Sequence, residues 1–164
     1  MKVKAYDLDG TLVKLPVDWA LLRKHLNQEY GVDWFYELEE PRKTEALGFI
    51  RKTELESLER PVRINEKLCA KILEESTKGV KQAIFSMNCR ETVEKCLENT
   101  GIRNAIGFTI ALEDVSEYKP NPQGLEKILE HFNEKPSQAS YYGDKKLDEQ
   151  AAKAIGVKFV KVNF

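Results

Sequence analysis

The chain has 164 residues, a length that holds one domain of usual size or a core domain with a modest insertion, and it excludes a large multidomain assembly. With 41% hydrophobic and 32% charged residues and a formal net charge of −1, it has the balance of a soluble globular protein, with no bulk electrostatic case for a nucleic-acid or membrane partner. No apolar run approaches a membrane span, Met1 leads directly into a strand rather than a signal peptide, and Cys69, Cys89 and Cys96 have neither metal-ligand spacing nor an even count, so the sequence predicts a cytoplasmic protein with free thiols.

The first predicted element is a strand over Val3 to Tyr6. Lys2 and Lys4 alternate with apolar neighbours, which is unusual for a central parallel strand buried on both faces. From about Lys14 to about Pro61 the chain shows helices and no convincing strand. Asp18 is placed to cap a helix carrying Trp19, Leu22 and Leu26, with Gly31 as its stop. A short helix is predicted after Asp33. A third follows Pro41, which suits a first-turn position, with Ala46, Leu47, Ile50, Leu55 and Leu58 as its apolar stripe.

From about Arg63 helix and strand alternate, the pattern of a parallel sheet covered on both faces. The helix bearing Leu68, Ile72 and Leu73 precedes a strand from Val80 to Phe85 that ends at Ser86. Asn88 with Glu91 resembles a capping box for a helix through Val93 and Leu97 to Gly101. Phe108 to Leu112 is the next strand; Asn121 and Pro122 open a helix that Asn133 stops. Ala139 to Tyr142, a helix from Leu147 to Ile155 closed by Gly156, and Lys158 to Val162 complete the alternation.

Ligands of open parallel sheets bind beyond the C-terminal strand ends. Those ends carry Asp7, Ser86, Glu113 with Asp114, and Gly143-Asp144, with Lys119 and Asp148 close by in sequence. If Asp7, Asp9, Asp144 and Asp148 all ionise, four carboxylates against the single ammonium of Lys119 leave a formal −3. A hard divalent cation such as Mg2+, a shared proton, or both would relieve it. Asp7 and Asp9 fall on one side of an extended segment, Gly10 permits the tight path after them, and the Thr11 hydroxyl is expected to hold that path by a local hydrogen bond.

Four stretches, "DLDGTLV", Ser86 in "IFSMN", Lys119 in "YKPNP" and "GDKKLD", together resemble the four ordered motifs of the haloacid dehalogenase-like (HAD) hydrolase superfamily over nearly the whole chain. The resemblance implies a Rossmann-like α/β core at residues 1–13 and 62–164 and a small helical cap of the C1 type at 14–61. It further implies that Asp7 is the nucleophile that forms an aspartyl-phosphate and that Asp9 is the general acid and then the base. Ser86 and Lys119 would bind the phosphoryl oxygens. Mg2+ would be held by Asp7, the backbone carbonyl of Asp9 and Asp144, with Asp148 orienting waters and neighbours around it. An aspartate at position 9 favours phosphoryl transfer over dehalogenation, since the dehalogenase branch resembles DxYGT.

The implied activity is a Mg2+-dependent phosphatase of a small phosphorylated metabolite, similar to the phosphoglycolate phosphatase-like group, in a monomer or homodimer. Alternatives are a phosphosugar mutase resembling the β-phosphoglucomutase branch, and a catalytically weak binding protein of the same fold. Lys145, where relatives often carry a small polar residue, is expected to point outward into solvent. Glu113 and Asp114 are expected at a solvent-facing strand end. His25 is read as a surface or partly packed residue, Trp19, Trp34, Phe35, Tyr36 and Phe49 as the core of the helical segment, and Arg23, Arg42 and Arg51 as its cations, candidates for contacts to the substrate leaving group or else a solvated face.

Overall fold

In the computed structural model, which describes residues 1–164, the short apolar runs become five parallel strands in the order β5-β4-β1-β6-β7. They are β1 (Val3–Tyr6), β4 (Lys81–Phe85), β5 (Phe108–Ile110), β6 (Ala139–Gly143) and β7 (Lys158–Lys161). β1 is central, with Tyr6 opposite Ile84 of β4 and Tyr142 of β6, so three strand ends finish level with one another. Helices α5 (Gln123–Phe132) and α6 (Lys146–Ala154) cover one face. Val3, Ala5, Ala83, Phe85, Leu125, Ile128, Tyr141, Ala151 and Ala152 form the core beneath them. Helices α3 (Glu66–Thr77) and α4 (Arg90–Asn99) carry the buried Ile72, Val93 and Leu97. This is the parallel sheet that the alternation predicts, in the Rossmann-like α/β arrangement that the resemblance implies.

The lysine on β1 has a simple account. Lys4 is half-buried, donates 2.5 Å to Glu75 of α3 and lies 5.7 Å from the ring centre of Tyr142. Its alternation with Val3 and Ala5 therefore reflects a face closed by an ion pair.

Residues Leu15–Val62 form a separate compact unit, the rest of the chain being the other. In this unit α1 (Trp19–Tyr30) is capped by Asp18, whose carboxylate accepts from the Leu21 N–H at 2.9 Å, and ends at Gly31 with φ 72°. The stretch after Asp33 is a single 3₁₀ turn, Phe35–Glu37. In α2 (Arg42–Ser57) the buried stripe is Ala46, Ile50, Glu54 and Ser57, spaced four, four and three, while Leu47 and Leu55 are only half-buried. The expected stripe followed apolar character; the observed one follows helical spacing.

Two further differences concern short local structure. Val13–Lys14 (β2) and Arg63–Ile64 (β3) pair as an antiparallel ribbon where the chain leaves the sheet unit and returns to it, too short for any alternation to announce. α4 begins at Arg90, with Cys89 rather than Asn88 at its cap, and Glu113 accepts the Arg90 N–H at 2.8 Å. The three cysteines are buried and form no disulfide. No helix is long and apolar enough to cross a membrane.

Candidate active site

Strand β1 stops at Tyr6, and Asp7 still donates its N–H to the Tyr142 carbonyl at 2.8 Å, which fixes its backbone to β6. The chain then turns back on itself. Leu12 and Val13 both donate to the Leu8 carbonyl, and Gly10 donates to Val13 at 2.7 Å. Gly10 sits at φ 90°, and a Cβ there would lie 2.4 Å from Asp144 Oδ2, so only glycine allows this turn to approach Asp144. The Thr11 hydroxyl does not hold the turn as expected: Thr11 Oγ1 is buried without a hydrogen-bond partner. Backbone groups hold it instead, with the Thr11 N–H on Leu8 and its carbonyl accepting from Asn65 at 3.0 Å.

Lys119 reaches this place from the loop before α5. Its ammonium, with the side chain 5% exposed, donates at 2.8 Å to Asp7 Oδ1 and at 2.8 Å to Asp148 Oδ1. The rings of Phe85 and Tyr141 lie 4.7 and 5.2 Å from it, completing a cage that suits a cation. Asp148 belongs to the first turn of α6. Besides Lys119 it accepts from the Lys145 N–H at 3.0 Å, and the Tyr141 hydroxyl is 3.1 Å from its Oδ1 and 2.9 Å from the Phe85 carbonyl. At Gly143 a Cβ would come within 2.6 Å of Asp148 Cβ, so this glycine leaves the room that Asp148 fills.

Burial and charge act in opposite directions on these carboxyls. Desolvation pushes Asp7 up to about 6, Lys119 pulling it back and Asp148 adding to the rise. Burial also opposes ionisation of Asp148, but the charge and hydrogen bond of Lys119, with the donors from Lys145 and Tyr141, hold it below the usual range. Burial raises Asp144.

Ligand oxygens of Asp7, Asp144 and Asp148 lie within 4.8 Å of one another, and Asp144 Oδ1 is buried with no hydrogen-bond partner. A hard dication fits this set: it is made of carboxylate oxygens, and one oxygen is desolvated without a donor. Of the residues singled out in the sequence, Asp7, Lys119, Asp144 and Asp148 converge. Asp9 follows in the turn and belongs to the same electrostatic neighbourhood, acting on both Asp144 and Lys145. Ser86 is fully buried one residue past β4, and its hydroxyl donates to Asn88 Oδ1 at 2.8 Å rather than to a carboxylate of this group.

Lys145 does not point away. Although the residue is exposed, its ammonium donates at 3.2 Å to the carbonyl of Asp9. Lys161 donates to the carbonyl of Asp144. Glu113 is exposed, as expected, but it and Asp114 also have structural partners: both bond Arg90, and Asp114 accepts from the Ala111 N–H at 2.7 Å. Sequence reasoning passed over Tyr141 and Asn88. A signal existed for Tyr141, since period-two alternation puts it on the same face of β6 as Gly143, but Asn88 read as a helix cap.

In the helical unit His25 stacks on Phe49 with ring centres 3.8 Å apart, and Phe35 is buried, both in keeping with packing roles. Arg23 lies over Trp34 and Arg42 over Tyr30, at 5.7 and 5.3 Å, so these cations cover aromatic rings.

A sequence model described as haloacid dehalogenase-like hydrolase matches residues 5–162. The pyrophosphatase PpaX of Halalkalibacterium halodurans is 28% identical over 176 residues, covering 97% of this chain and 82% of that protein. The phosphoglycolate phosphatase of Aquifex aeolicus is 26% identical over 188 residues, covering 99% and 88%. Among solved structures, a HAD-superfamily hydrolase of subfamily IA, variant 1, from Geobacter sulfurreducens superposes with a TM-score of 0.70 at 22% identity, covering 98% of this chain and 89% of that one. That last likeness concerns the fold.

Proposed function

The chain belongs to the haloacid dehalogenase-like hydrolase family, and from that premise we propose that it is a Mg2+-dependent phosphatase of small phosphomonoesters that works through a phosphorylated Asp7. The observation that carries this reading is the Lys119 ammonium fixed between Asp7 and Asp148, with Asp144 completing the group. A buried carboxylate oriented by a cation has the placement of a nucleophile, and the same cation can receive the oxygens of a transferring phosphoryl group.

In this reading an Asp7 oxygen attacks phosphorus while the ester P–O bond breaks, and the leaving oxygen takes a proton from Asp9. Water then attacks the phosphorylated Asp7, Asp9 takes up its proton, and phosphate leaves with Asp7 restored. Lys119 and Ser86 hold the phosphoryl oxygens, Ser86 being kept in place by Asn88. Asp7, the Asp9 carbonyl and Asp144 would hold Mg2+, which supplies positive charge opposite the developing phosphoryl charge. Asp148, whose two oxygens already accept hydrogen bonds, orients Lys119 and the start of α6. We assign selection of the leaving group to the helical unit Leu15–Val62, as the cap of the enzyme.

The names of the relatives direct the substrate panel: 2-phosphoglycolate, inorganic pyrophosphate and hexose phosphates, each with and without Mg2+. Phosphate release that needs Mg2+ and is lost in Asp7→Asn supports the reading. Release that survives Asp7→Asn, or that ignores Mg2+, overturns it. Hexose phosphate isomerised with little phosphate released would assign the chain to mutases instead.

A further inference from the structure

The Mg2+ reading treats Lys119 as the only cation among the carboxylates, yet a second ammonium is present. Lys145 stands at the N-cap of α6, where the helix dipole disfavours a cation, and its long side chain has open solvent available. It nevertheless donates at 3.2 Å to the Asp9 carbonyl, the backbone oxygen assigned above to the metal. The carboxylates of Asp7, Asp144, Asp9 and Asp148 all attract its charge. The other cations close to the group are turned elsewhere: Lys119 to Asp7 and Asp148, and Lys161 to the backbone carbonyl of Asp144. Of the three, Lys145 is the one with its charge on the Asp9 carbonyl.

We propose that Lys145 is a built-in competitor of the divalent cation: its ammonium occupies the Asp9 carbonyl in the metal-free protein and must withdraw for the metal to bind. Two consequences follow. Metal binding is weakened, because the dication displaces a hydrogen bond and then shares the site with a neighbouring positive charge. The metal-free site is protected, because four carboxylates face two ammonium groups rather than one. The inference rests on the Mg2+ reading but can fail separately from it.

The experiment is metal titration of the full chain without substrate, by Mn2+ electron paramagnetic resonance and Mg2+ calorimetry, on the unmodified protein, Lys145→Gln, Lys145→Arg and Asp144→Asn. A unit charge withdrawn to about 6 Å from a dication still alters affinity by about tenfold at the dielectric constant of water. Lys145→Gln is therefore expected to bind metal about tenfold tighter, with Lys145→Arg close to the unmodified protein. In chelator Lys145→Gln should melt below the unmodified protein, a difference that saturating Mg2+ removes. Equal or weaker binding by Lys145→Gln, while the unmodified protein binds and Asp144→Asn does not, overturns the role of Lys145 and leaves the metal reading intact. No binding by any folded version overturns both.

Discussion

A single buried ammonium organises the site: Lys119 holds Asp7 and Asp148 together and is itself caged by two aromatic rings. Replacing it by methionine keeps most of the volume but leaves two buried carboxyls facing each other without a cation. Loss of one partner from a buried ion pair costs about 3–5 kcal/mol. Lys119 is also what pulls Asp7 down, so in Lys119→Met the Asp7 carboxyl should hold its proton to a higher pH still. The variant is thus expected to lose much of its stability at pH 8 and less at pH 5, as read by urea denaturation at both values. An equal loss at both would show that packing, not charge, is the function of Lys119. Thr11 presents the opposite case, a buried hydroxyl with nothing to lose. Thr11→Val should change stability by less than about 1 kcal/mol, because no hydrogen bond is broken; a larger loss in the same denaturation experiment would reveal a bond to this hydroxyl.

At the scale of elements, the turn after β1 acts as a unit with the end of β6. Gly10 is required twice over, by its φ of 90° and by the 2.4 Å between its absent Cβ and Asp144 Oδ2. Gly10→Ala should cost more than about 1 kcal/mol and weaken Mn2+ binding, since relief of the clash must move Asp144. Unchanged stability and affinity would mean that the turn is not pinned against Asp144. These two elements also show what a sequence discloses. "DLDGTLV" and "GDKKLD" are contiguous, so the identity of their carboxylates, their glycines and their place at strand ends are legible in the order of residues alone. The Asp18 cap and the Gly31 stop are legible for the same reason, each acting within one turn of helix. The role of Asn88 is not, because its amide turns back to Ser86 and the α4 terminus is served by Glu113, twenty-three residues from Arg90. Nor is the direction of Lys145: local preference sends a lysine outward, and only the carboxylates assembled from β1 and α6 reverse it. Leu55, apolar but half-buried, and Glu54, charged but buried, show the same limit in α2.

For the molecule as a whole, the raised carboxyl of Asp7 links the site to global stability. In the folded protein Asp7 releases its proton near pH 6, whereas the unperturbed carboxyl releases it at 3.8. Between those values the folded state binds more protons than the unfolded state, so unfolding becomes easier as pH rises. Asp144, raised by burial, contributes in the same direction. Asp148 has the opposite sign but a different window: held below 3.8, it adds stability as pH rises through the more acidic range and is spent before Asp7 begins to titrate. In chelator the melting temperature is therefore expected to fall between pH 4.5 and 6.5, Asp7 contributing up to about 3 kcal/mol across its shift. Asp7→Asn should remove most of this fall. Supplied Mg2+ should flatten it in the unmodified protein, since a dication binds the ionised carboxylates and stabilises the fold more as they lose their protons. Melting curves at four pH values, with chelator and with Mg2+, test all three statements. A melting temperature that rises through this window in chelator, or the same slope in Asp7→Asn, would place the pH response of the protein outside this site.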